Sequence, residues 1–175
     1  MSVTEELEEH AEHAHDPFSR RAGAGMAIIA ACLAVVAVYG HISTTEELLA
    51  QQKAADQWAF YQAKTLRRYQ SDVAQDILHS MPGETAGKAA DKYQANADRY
   101  EKESEQVQEK AKEYEKESEL NGRRALRLHL GEIFLELAIV FSSLAILSHR
   151  AVFFYVGIVG AVIGVFVGAA AALLH

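Results

Sequence analysis

The sequence predicts an all-α integral membrane protein, with three transmembrane helices and a long extramembrane antiparallel coiled-coil hairpin between the first and the second. Three observations carry this expectation. Half of the 175 residues are apolar, yet they gather near the N-terminus and in the last third, so one water-soluble core cannot hold them. The charged middle of the chain repeats every seven residues. The run 84–148 contains no proline, opens in Glu, Lys, Gln, Ala and Tyr, and closes in Leu, Ile, Phe, Val and Ala. That is the pattern of one helix that begins in water and ends in lipid.

Taken in order, residues 1–16 form an acidic tail without Lys or Arg. Such a tail suits neither a cleaved secretory signal nor an anchor to anionic lipid, both of which use basic residues. Asp16 and Pro17 then make a helix start: Asp caps free amides, and proline is tolerated at the first helical position. The first transmembrane helix is expected over 17–41, with Ala22, Gly23, Ala24 and Gly25 suited to close helix packing. Residues 42–127 are expected to form the hairpin, with its turn at 81–84, where Met81-Pro82-Gly83 stops the first arm. Each arm would be roughly 55 Å long at the α-helical rise. The second and third transmembrane helices are expected over 128–148 and 151–174, joined by His149 and Arg150.

The arms carry heptads. On the outgoing arm, Leu48, Gln52, Ala55, Ala59, Gln62, Leu66, Tyr69 and Val73 recur at alternating spacings of four and three, which reads as a wet seam, between the two arms or with arms of other subunits. On the return arm, Tyr93, Tyr100, Val107, Tyr114 and Asn121 are seven apart. Ala90, Ala97, Ser104, Ala111, Ser118 and Ala125 form a second series of the same period. Large residues in one series and small in the other let two helices approach closely. The hexapeptide Tyr100-Glu101-Lys102-Glu103-Ser104-Glu105 returns two heptads later from Tyr114 to Glu119, which marks register.

Several groups invite a functional reading. Glu132 and Glu136 lie one turn apart on the second transmembrane helix, where a carboxylate costs a few kcal/mol unless paired, protonated or wetted. They point to an ion or proton pathway; the plainer reading has both reach headgroups or Arg127 at the membrane edge. Gly157, Gly160, Gly164 and Gly168 punctuate the third helix, the last three at the spacing of close helix approach in lipid. Trp58, Phe60 and Tyr61 cover more than one face of the outgoing arm, so a neighbouring subunit or another, unidentified protein would take part of them. Glu101, Glu105, Glu109, Glu113 and Glu117 form an i,i+4 ridge, which is either a solvated flank or a cation-binding surface. His10, His13 and His15 could share a divalent metal, although a solvated tail explains them as well. The single Cys32 permits no intrachain disulfide.

The net charge of −7 argues against nucleic acid as a partner. No nucleophile elbow, phosphate loop, zinc-protease helix or CxxC pair is present, so neither an enzyme nor a cofactor is expected.

The stretch His10-Ala11-Glu12-His13-Ala14-His15-Asp16-Pro17-Phe18, the stretch from Asp56 to Lys64 (DQWAFYQAK), and Leu130-Gly131-Glu132-Ile133 together resemble a family of small bacterial membrane proteins classed as a domain of unknown function. The resemblance covers essentially the whole chain. It implies a bacterial inner-membrane location and three membrane helices around a helical insert, and it supplies no activity. The expected function is that of a non-enzymatic, homo-oligomeric membrane scaffold or adaptor that contacts membrane lipids and other copies of itself. A channel or transporter-like subunit using Glu132 and Glu136 is the alternative. Arg20, Arg21 and Arg150 fall on one side of the membrane and Arg123, Arg124 and Arg127 on the other. The short flanks set orientation, so the N-terminus is expected in the cytoplasm and the hairpin outside it.

Overall fold

In the computed structural model, which describes residues 17–171 and Leu173, the chain is all-α: α1 spans Pro17–His79, α2 Glu84–Ser148 and α3 Ala151–Ala171. No strand occurs among the described residues. Each of the three helices contains a stretch long and apolar enough to cross a membrane. Asp16, expected to cap α1, and the histidines of the N-terminal tail lie outside the described residues.

The helices are continuous because nothing in them interrupts the backbone ladder: proline occurs only at the first residue of α1 and in the turn after it. Two serines in the apolar stretch of α2 donate back to their own helix, while Ser143 donates to the Met26 sulfur at 3.4 Å. Ser142 reaches the Ala138 carbonyl at 2.8 Å and Ser148 the Leu144 carbonyl at 2.6 Å. No hydroxyl need then be left unsatisfied in lipid.

Both helix ends that turn the chain are built from local chemistry. Pro82 cannot continue α1, and Gly83 adopts φ 122°, a conformation that costs glycine little. The Gly83 carbonyl then accepts the amides of Ala86 and Gly87, which opens α2. After α2, His149 sits at φ 51°, the left-handed helix-ending conformation, and the Arg150 carbonyl accepts the Phe153 amide to start α3.

The chain packs as two units. The described residues up to Thr45 and those from Leu120 onward form the first; Glu46–Glu119 forms the second. In the first unit, Ile29, Leu135 and Ala138 make a buried centre against which Cys32, Leu33, Val36, Ile139 and Ala161 pack. Its α2 stripe of Leu128, Gly131, Leu135, Ala138, Ser142 and Ala145 is buried at alternating spacings of three and four. In the second unit, the two segments meet through small residues: Ala50 and Ala54 of α1, and Ala90, Ala97, Ser104 and Ala111 of α2, are all buried.

The predicted row of α1 is not the face that meets α2 within the chain. The row Leu48, Gln52, Ala55, Ala59, Gln62, Leu66, Tyr69 and Val73 is exposed at every position. The face turned inward lies two residues further on: Ala50, Ala54, Gln57, Tyr61, Lys64, Arg68, Ser71 and Gln75 are each buried or half-buried. Two residues along a helix is about 200°, so the inner and outer rows lie on nearly opposite sides. The inner row wins because it supplies small residues to the alanines of α2 and cations to its carboxylates.

Candidate functional site

In the second unit, α2 presents acids and tyrosines to α1. The Lys64 ammonium donates to a Glu103 carboxylate oxygen, and Arg68 donates to Glu101 Oε1 at 2.8 Å. The Trp58 indole N–H donates to Glu115 Oε1 at 2.8 Å. Lys64 also lies 5.6 Å from the Tyr100 ring centre, and Lys53 lies 5.4 Å from that of Tyr114. The internal repeat thus has a physical use: each copy offers α1 a tyrosine face and, one residue on, a carboxylate. The hydrogen bond from Lys64 holds the Glu103 carboxyl below its ordinary range, with smaller help from Arg99 and Arg67.

Of the tyrosine series, Tyr100, Val107 and Tyr114 are half-buried and Tyr93 is exposed. Trp58 and Tyr61 are half-buried and meet edge to face at 5.5 Å between ring centres. Both therefore pack within this chain, whereas Phe60 remains 57% exposed. The outer face of α1 in this unit keeps Leu48, Leu66, Tyr69, Val73 and Ile77 more than half exposed. In the glutamate ridge, Glu101 is paired with Arg68, and Glu105, Glu109, Glu113 and Glu117 face solvent.

In the first unit, the glycines set how closely the helices approach. A β-carbon on Gly131 would lie 2.7 Å from the Gly164 carbonyl oxygen, and one on Gly157 would lie 2.9 Å from that of Ala138. Gly168 faces Val36 of α1, with 3.3 Å from a built β-carbon to a methyl group. Gly160 is looser, its nearest contact at 3.6 Å.

The two carboxylates of α2 part company. Glu132 Oε2 lies 3.1 Å from His129 Nδ1, and His129 Nε2 lies 3.1 Å from the Thr44 hydroxyl on α1. Thr44 also lies 3.0 Å from the Gly40 carbonyl oxygen. Gly40 lies beside the ring: a β-carbon built there would stand 3.4 Å from its edge, an ordinary contact. Glu136 is exposed on the outside of α2. Arg127 donates to the Ala170 carbonyl at 3.2 Å, not to either glutamate. Two apolar grooves of about 430 Å³ flank the helices, one bordered by Ile28, Cys32 and Phe166, the other by Val36, Tyr39 and Leu128. Neither includes Glu132 or Glu136.

Sequence spacing offers His129 and Glu132 as an i,i+3 pair. Thr44 carries no such signal, because it is 85 residues away and reaches the ring only through helix packing. Among the described residues, no group of three or more His, Cys, Asp or Glu could hold a metal ion; His10, His13 and His15 lie outside them.

The family profile of a domain of unknown function, DUF4337, matches residues 18–174, which take in both the DQWAFYQAK stretch and the LGEI stretch. The chain belongs to that family. No curated protein and no solved structure matches it. In this DUF4337 chain the matched region holds all three apolar helices, and both glutamates of α2.

Proposed function

We propose that this DUF4337 protein is a non-enzymatic, homo-oligomeric scaffold of the bacterial inner membrane. Its segment Glu46–Glu119 acts as a helical coiled-coil hairpin that presents a surface to further copies. The observation that carries this reading is the outer row of α1. Leu48, Leu66, Tyr69, Val73 and Ile77 are each more than half exposed, although water-soluble helices bury such stripes. Covering one such side chain is worth about 1.5–3 kcal/mol. Copies anchored in one membrane share its normal as their rotation axis, so their α1 helices run parallel and the same seam positions meet. The N-terminus lies in the cytoplasm and the hairpin outside it.

Light scattering on the purified protein in detergent tests the assembly. Wild type gives a multiple of the 19.2 kDa chain mass, and Leu66→Glu with Val73→Glu gives a smaller particle. A monomeric wild type would refute the reading.

A second reading is favoured by the polar link Thr44–His129–Glu132, which brings an ionisable pair to the apolar end of α2. There, Glu132 and Glu136 serve an ion or proton path in an assembled pore. Proteoliposome flux that disappears in Glu136→Gln supports it, and wild-type liposomes that do not leak exclude it.

A further inference from the structure

The Thr44 hydroxyl has two neighbours and one proton. It lies 3.0 Å from the Gly40 carbonyl oxygen and 3.1 Å from His129 Nε2, while His129 Nδ1 lies 3.1 Å from Glu132 Oε2. A carbonyl accepts only, and an imidazole nitrogen donates only when it carries hydrogen. Two proton arrangements therefore fit. In the first, Thr44 donates to Gly40, His129 Nε2–H donates to Thr44, and one further proton is shared between Nδ1 and the Glu132 carboxyl. In the second, Thr44 donates to Nε2, and Nδ1–H donates to the Glu132 carboxylate. The first holds one more proton than the second. Taking His129 and Glu132 together, the first is neutral and the second carries one negative charge.

We propose that Thr44, His129 and Glu132 form a site that takes up and releases a single proton while α1 and α2 stay hydrogen-bonded to each other. On release, the Nε2 proton leaves for water, the shared proton settles on Nδ1, and the Thr44 hydroxyl turns from its own helix to the ring. The link across the helices reverses its direction and survives. This does not rest on either reading of function. The nearest other ionisable groups along the two helices are Tyr39, His41, Glu46 and Glu47 on α1 and Arg123, Arg124, Arg127 and Glu136 on α2. Across Ala151–Ala171, α3 adds only Tyr155, near its opposite end. The i,i+3 spacing of His129 and Glu132 sets Nδ1 against the carboxyl in both arrangements.

Nitrogen-15 spectra of the full-length protein, labelled in its histidine rings and held in lipid nanodiscs, read the tautomer directly. The His129 signal is the one lost in His129→Asn. The wild-type ring carries hydrogen on both nitrogens at the acid end of the titration and only on Nδ1 at the alkaline end. In Glu132→Gln the amide offers Nδ1 either a donor or an acceptor, so the neutral ring loses its fixed preference for Nδ1–H. A wild-type neutral ring that is already Nε2–H, or an equal mixture unchanged in Glu132→Gln, overturns the proposal. Once His129 is assigned, the wild-type spectrum decides, even where Glu132→Gln does not fold.

Discussion

Gly131 of α2 and Gly164 of α3 meet backbone to backbone. A β-carbon on the first would stand 2.7 Å from the carbonyl oxygen of the second, and one on the second 2.8 Å from that of the first. No side chain can yield there, so Gly131→Ala must move a helix. Such overpacking costs about 1–3 kcal/mol. Alanine's helix preference over glycine returns up to about 1 kcal/mol. The expected outcome is a net loss of stability for Gly131→Ala in reversible unfolding in mixed micelles. Gly160→Ala, with its nearest contact at an ordinary 3.6 Å, is the control and should be neutral or slightly stabilising.

Lys64 and Glu103 give the second unit a pH dependence. The folded Glu103 carboxyl sits below its ordinary value of 4.5, chiefly through the Lys64 hydrogen bond. A group depressed on folding stabilises above its unfolded value, and the contribution fades as pH falls through the folded one. Lys64→Met should therefore be less stable than wild type near neutral pH, and the gap should close on acidification below about pH 4.5. Both groups are part-exposed, so the effect is small. Thermal melts across that range check it; a gap that widens in acid would be the wrong sign.

Trp58 is the only tryptophan, which makes its bond to Glu115 observable. Glu115→Ala removes the acceptor and frees the indole toward water, and its emission should shift to the red. Glu115→Gln keeps a carbonyl oxygen in place and should leave emission near that of wild type. Identical spectra for all three proteins would mean that the indole is not held.

Much of this arrangement is legible in the sequence, and the rest has physical reasons for being hidden. Met81-Pro82-Gly83 announces its turn because proline and glycine act through the backbone alone. The small series through Ala90, Ala97, Ser104 and Ala111 announces the buried face of α2, since no other role suits alanine at a strict seven-residue interval. On α1, hydropathy selects the row of Leu48, Leu66, Tyr69 and Val73, yet that row faces out. Two rows of the same period run along that helix, and the inner one is marked by the pairing of Arg68 and Lys64 with Glu101 and Glu103, not by apolarity. Gly131 belongs to no regular glycine series in α2, so its role emerges only with Gly164 opposite. Thr44 is hidden for the same reason: its partner is distant along the chain.

Disulfide trapping in native membranes is the decisive measurement for the outer row of α1. With Cys32 replaced by alanine, Leu66→Cys places a thiol on that row and Glu105→Cys places one on the solvent face of α2. Mild oxidation should convert Leu66→Cys to a covalent dimer and leave Glu105→Cys monomeric. Leu66→Cys that stays monomeric, or a Glu105→Cys that dimerises as fast, would contradict assembly through this face.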